Sequence, residues 1–224
     1  MHDRPDRTYP LPDILLLNAN TNTAMTDKML DVARVLHPNC RGATVARGHK
    51  YISDHVTASV AAEAVVEFAA TLDVKTMPDA LAIACFGDPG LWTVRGTLPI
   101  PVIGMAEASC HVACQIGRNF AIVTGGAAWE PMLRDFVEHT GLSSRMSGVY
   151  TLDQTGDVLA AEPEKTLPFI ANKVNQARRD GADVVILGGA GLVGFADLLS
   201  SGTDFPVLDS LTCAISQAVA LANI

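Results

Sequence analysis

The chain is 224 residues long, 49% hydrophobic, and carries a formal net charge of −8 at neutral pH. That is enough apolar material for one good core or two small ones, which excludes a disordered chain. No Lys/Arg cluster stands at either end or in the middle, so neither nucleic acid nor a membrane surface is an expected partner, and small-molecule chemistry is.

The opening MHDRPDRTYP is too polar and too interrupted by proline for a secretion signal, and no apolar run has the length of a bilayer span. The run 13–17 (DILLL) reads as a buried strand. After it, Asn18-Ala19-Asn20-Thr21-Asn22-Thr23 leads into a helix over 23–36, which Thr21 or Thr23 is placed to cap. Asn18, Asn20 and Thr21 also offer neutral donors and acceptors for an amide, imide or carboxylate; good turn formation accounts for part of their presence. A strand over 42–46 leads into ARGHKYISDH, read as a lid, with His49 and His55 on either side of Tyr51-Ile52-Ser53. A helix over 55–72 follows.

The strand 80–84 (ALAIA) runs into Cys85-Phe86-Gly87-Asp88-Pro89-Gly90, where a helix is expected with Asp88 as its N-cap and Pro89 at its first position. A thiol there meets backbone N–H groups and a helix dipole, which favour the thiolate. A small buried cysteine is the equally weighted alternative. A strand over 101–104 and a helix over 106–116 come next; Cys110, His111 and Cys114 lack a second ligand cluster and read as a helix face rather than a metal site. The strand 119–123 (NFAIV), the turn Thr124-Gly125-Gly126 and a helix over 128–140 follow, then a strand over 146–150 and a helix over 163–179. The strand 183–187 (DVVIL) runs into Gly188-Gly189-Ala190-Gly191 and a helix over 193–200. A last strand, 206–208, precedes Asp209, either a cap or a site residue, and a helix over 211–222. Trp92 and Trp129 are assigned to packing.

Strands alternating with helices predict an α/β fold with mostly parallel sheets. ALAIA before CFGDPGL resembles DVVIL before GGAGLVG, and DILLL before NANTNTAM resembles NFAIV before TGGAAW. Two pseudo-symmetric halves follow, 1–98 with 207–224 and 99–206, with a cleft between them where strand C-termini converge. Amides of the glycine turns would cradle an oxyanion there. These turns are read as neither a dinucleotide fingerprint nor a P-loop, and no GxSxG elbow occurs. The five cysteines show no disulfide spacing, so reduced thiols and a cytoplasmic location are expected.

The ordered motifs NANTNTAMT, ACFGDPGL, PVIGMAEA, LGGAGLVG and PVLD together resemble the aspartate/glutamate/hydantoin racemase superfamily, most closely hydantoin racemases, from Ile14 to the C-terminus. The resemblance implies two pseudo-symmetric α/β domains with the site between them, no cofactor, and usually a homo-oligomer; no metal is expected, from the missing second ligand cluster. It also implies one catalytic Cys on each side of the substrate, one removing a proton beside a carbonyl and the other returning one to the opposite face. Cys85 matches the first. Where the family reads LGCAG, this chain reads Leu187-Gly188-Gly189-Ala190-Gly191, so the second thiol is absent.

The resulting expectation is a cofactor-independent, Cys85-dependent enzyme on a hydantoin-like carbon acid. Phe86, Gly87, Thr124, Gly125, Gly126, Gly188, Gly189 and Ala190 would line its site with the Asn18–Thr21 turn. Racemisation with another group, such as Cys213, a His or a water, in place of the second thiol is the first reading. A single-cysteine hydrolase, desulfurase or decarboxylase is the second; arylmalonate decarboxylases of the same superfamily also keep one Cys, the other one. A silent ligand-binding protein is the third.

Overall fold

The computed structural model describes residues 10–200 and 205–224; the opening segment judged for a secretion signal lies, apart from Pro10, outside them. In chain order the elements are β1 (Ile14–Asn18), α1 (Thr23–Leu36), β2 (Cys40–Thr44), α2 (His55–Ala69), β3 (Ala80–Ile83), α3 (Leu91–Thr97), β4 (Val102–Gly104) and α4 (Met105–Ile116). There follow β5 (Phe120–Gly125), α5 (Trp129–His139), β6 (Met146–Leu152), α6 (Gly156–Ala161), α7 (Pro163–Arg179), β7 (Val184–Gly188), α8 (Phe195–Ser200), β8 (Val207–Asp209) and α9 (Ser210–Leu221). Ser143–Arg145 and Ala190–Leu192 form short 3₁₀ turns.

The strands make two four-stranded sheets, ordered β2-β1-β3-β4 and β6-β5-β7-β8, with every pairing parallel. This is the two-half α/β architecture expected. The echoed segments hold equivalent positions: β1 with β5, and β3 with β7. In each sheet the chain switches direction of progress between the first and third strands, so the two switch points, where ligands gather in parallel sheets, belong to the turns after β1, β3, β5 and β7.

Inner strands of a parallel sheet are covered on both faces, hence the unbroken apolar run of β1, whose Ile14, Leu15, Leu16 and Leu17 are all buried. Alternation sorts the second sheet. Ile122, Val184 and Ile186 join the apolar cluster that also contains β1, β3, α4 and α9, while Ala121, Val123, Val185 and Leu187 face a smaller cluster with residues of α7 and α8. One core therefore runs through both halves.

Sheet membership differs from the sequence boundaries at 98/99 and 206/207. β4 pairs with β3 in the first sheet, and β8 pairs with β7 in the second; only then does α9 return to pack on α4, α1 and β3. The strand expected at 42–46 begins two residues earlier, the helix expected from Pro89 is the seven-residue α3 and starts at Leu91, and the six-residue α6 was not anticipated.

A further correction concerns Asp88. It is not the cap of the following helix, which starts at Leu91 behind Gly90, a glycine with φ 78°. Asp88 itself adopts φ 50°, the one positive φ among the described non-glycine residues. Its two carboxylate oxygens accept from the Ala106 and Glu107 amides, each at 2.8 Å, and so cap α4, the crossover helix between the halves. Gly104 is tied to this arrangement, because a Cβ there would collide with the Asp88 carboxylate.

Candidate active site

The two switch points meet at a cavity that opens to solvent. From the first half it is lined by Asn20, Asn22 and Met25 after β1, and by Ala84, Cys85 and Phe86 after β3. From the second half come Thr124 and Gly125 at the end of β5, Trp129, Gly156 and Asp157, and the run Gly188 to Leu192 after β7. Lys50, Tyr51 and Ile52 cover it.

Cys85 is 8% exposed, and among the described residues no other cysteine lines this cavity. All five cysteines are free thiols. Burial pushes the Cys85 thiol up to about 12, with the nearby Asp88 carboxylate adding to the effect. This reverses the expectation that a helix dipole would favour the thiolate. α3 begins only at Leu91, and the charge close to the sulfur is negative. Asp88 is in turn pushed up to about 7 by burial, against the two amide hydrogen bonds that favour its charged form. Behind it, Arg95 holds the Glu107 carboxylate with both terminal nitrogens and donates to the Val102 carbonyl, fixing α3 against the start of α4.

The asparagine turn is divided in its duties. Asn18 is fully buried; its Nδ2 donates to Asn20 Oδ1, the Asn22 carbonyl and Thr26 Oγ1 at 3.0–3.1 Å, and its Oδ1 accepts from the Asn20 amide. It shapes the turn and does not line the cavity. Thr21 is also outside the lining, its amide bonded to the His49 carbonyl at 3.0 Å. The cap of α1 is Asn22, not Thr21 or Thr23, through Oδ1 accepting from Met25 N. Asn20 and Asn22 are the members that reach the cavity.

The glycines likewise separate. Gly87 and Gly126 are absent from the lining and serve close approach instead. A Cβ at Gly87 would sit 2.8 Å from the Trp129 ring, and one at Gly126 would sit 3.3 Å from the Tyr51 hydroxyl. Gly188 lines the cavity and is also covered by the Phe86 ring, 2.6 Å from where its Cβ would be. The halves thus interlock, Phe86 over Gly188 and Trp129 over Gly87. At Gly189, by contrast, a Cβ would meet only Thr124 Oγ1, at 3.8 Å, so the position of the second thiol is open space bounded by backbone. Thr124 donates to the Gly188 carbonyl at 2.8 Å.

Gly189-Ala190-Gly191-Leu192-Val193-Gly194 does carry GxGxxG spacing, with Asp209 about twenty residues on as in a dinucleotide site. The Asp209 carboxylate, however, accepts from the amides of Gly194, Leu211 and Thr212 and caps α9. It is not available to a ribose, and of the two roles left open for it the cap is the one observed.

The 46–55 segment does cover the cleft, but not through its histidines, which are both exposed and outside the lining. Tyr51 makes the contact, its hydroxyl donating to the Gly125 carbonyl and accepting from the Gly156 amide, both at 3.3 Å. Trp129 is buried against the cavity, whereas Trp92, expected in the core, is 58% exposed beneath Arg95. Asn22, Trp129, Gly156 and Asp157 were missed as lining residues. Trp129 was assigned to packing, and nothing in GDVLAA marks Gly156 or Asp157 for a site. Of the α4 trio, Cys110 is fully buried and His111 exposed.

The fold is thus an α/β protein of two parallel four-stranded sheets with a thiol at one switch point of the cavity. Residues 14–218 match the family described as Asp/Glu/Hydantoin racemase, and the chain belongs to it. A hydantoin racemase from Paenarthrobacter aurescens is 31% identical over 93% of this chain and 90% of its own. Crystallised allantoin racemase from Pseudomonas fluorescens superposes with a TM-score of 0.88 at 26% identity, covering 94% of this chain and 90% of that one. Allantoin racemase from Klebsiella pneumoniae gives 0.84 at 27%, covering 94% and 87%. The protein is accordingly a racemase-like isomerase of that family. Among the described residues no helix is long and apolar enough to cross a membrane.

Proposed function

We propose that the protein is a cofactor-independent racemase of hydantoin-like rings in which Cys85 exchanges the proton on the stereogenic carbon next to a ring carbonyl. The observation that carries this reading is the Cys85 thiol at the switch-point cavity, facing the turn from Gly188 to Leu192. Hydantoins and allantoin, the substrates in the relatives' names, share a flat ring with imide and amide edges. The side-chain amides of Asn20 and Asn22 and the backbone of the glycine turn suit such edges, and an enolate oxygen would gain from the same N–H groups. Removal of the carbon-bound proton by the thiolate leaves an enolate; return of a proton to the other face completes inversion.

The test is an optically pure 5-substituted hydantoin in deuterated water, followed by chiral chromatography and mass spectrometry. Racemisation with uptake of one deuterium is expected, and Cys85→Ala should lower it by about 10²- to 10⁴-fold. Because burial pushes the Cys85 thiol up to about 12, its thiolate fraction, and with it the rate, should climb roughly tenfold per pH unit through neutrality. Undiminished racemisation in Cys85→Ala would exclude the mechanism. The bare backbone at Gly189 favours one alternative, a one-sided lyase or hydrolase in which the neutral thiol only protonates or attacks; carbon dioxide release or ring opening without racemisation would identify it.

A further inference from the structure

We infer that Tyr51 is the acid–base group that answers Cys85 from the opposite face of the substrate, in place of the missing second thiol. This rests on the racemase reading above. Inversion needs a protic group on the second-half side of the cavity, and Gly189 supplies none. Tyr51 belongs to the first half by sequence but delivers its hydroxyl to the second-half turns, between the Gly125 carbonyl and the Gly156 amide. A Cβ on Gly156 would lie 3.6 Å from the Tyr51 ring and also 3.6 Å from Gly191, so the ring stands beside the glycine turn that replaces the family's second cysteine.

The other protic groups of the lining suit the role less well. Lys50 and Asp157 are exposed at the mouth, and Thr124 is committed to the Gly188 carbonyl. Both hydrogen bonds of the phenol are 3.3 Å long, at the weak end of the range, so turning its proton toward a substrate carbon sacrifices little. Burial pushes the phenol's pKa up and keeps it protonated and ready to donate; the Gly156 amide, which donates to the phenol oxygen, and the Trp129 indole oppose that push and would take up part of the charge when the proton leaves. A thiolate at Cys85 pushes the phenol's pKa up, so the two groups sense each other, and one is favoured as anion while the other stays protonated.

The proton balance is closed. Starting from thiolate and phenol, sulfur takes the proton from carbon, the phenol gives its proton to the opposite face, and thiol and phenolate remain. The reverse reaction begins from that state, and exchange with water resets the pair.

The test is Tyr51→Phe with both enantiomers of a 5-substituted hydantoin in deuterated water. The expected result is racemisation slowed by about 10²-fold or more, with deuterium still entering one enantiomer with retention of configuration. That enantiomer is the one whose hydrogen faces Cys85. Equal slowing of exchange in both enantiomers would mean that Tyr51 only shapes the cleft, and racemisation at the wild-type rate would mean that it does nothing; either overturns the inference. A fluorotyrosine at position 51, which keeps the ring and lowers the phenol's pKa, should move the pH–rate profile to lower pH. An unmoved profile counts against the inference even if Tyr51→Phe folds poorly. Absence of any exchange in the unaltered protein would instead defeat the racemase reading on which the inference rests.

Discussion

Gly189 combines room with strain. Its φ of +116° and ψ of 146° form a conformation that residues with a Cβ rarely adopt, although nothing closer than Thr124 Oγ1 would obstruct the side chain. Gly189→Cys is therefore expected to cost about 1–3 kcal/mol of stability, measured as a fall of several degrees in Tm. It would nonetheless place a thiol on the face opposite Cys85. In a Tyr51→Phe background the added thiol should restore racemisation, read by chiral chromatography. A folded double variant with no recovery would mean that this turn and Cys85 do not address the same carbon. The absence of the second thiol was legible in the sequence, because LGGAG departs from the family pattern at one position. The geometry around it was not, since close approach by Phe86 to Gly188 and by Trp129 to Gly87 joins residues from different halves.

At the scale of elements, the CFGDPG turn and α4 form one unit through Asp88. Asp88→Ala would strip the acceptors from two amides at the start of α4, the buried Ala106 and the part-buried Glu107, and is expected to destabilise the fold by about 2–4 kcal/mol. It would also remove the negative charge that adds to the upward push of burial on the Cys85 thiol, so alkylation of the Cys85 peptide, followed by mass spectrometry against pH, should shift to lower pH. Loss of stability with no shift in alkylation would confine Asp88 to a structural role. Strands were readable here because buried parallel strands are continuous apolar runs flanked by small-residue turns, as at DILLL and DVVIL. The cap was misread because Asp-Pro-Gly before a helix is a local signature, while the real partner begins at Met105 and is reached only in three dimensions. α6 escaped because six residues of GDVLAA carry too few turns for a helical period to declare itself.

Across the whole molecule, the halves share one apolar core, α9 crosses from the second sheet back to α4, and Tyr51 spans the cleft. Because one apolar cluster holds residues of both sheets, the two should unfold together. In Trp92→Phe the remaining Trp129 reports the cleft, and its fluorescence transition on heating should coincide with loss of far-ultraviolet dichroism from all the helices. Two separated transitions would show that the sheets fold independently and that the cavity is a loose junction. A ligand gripping both switch points must stabilise this single unit. A non-reactive hydantoin at about a hundred times its Kd contributes roughly 2.7 kcal/mol, raising Tm by roughly 5–10 °C in a chain of this size. The same rise should appear by both probes, because binding between Cys85 and the Gly188–Leu192 turn holds the two halves in register. A rise in one probe alone would place the ligand in one half and not between them.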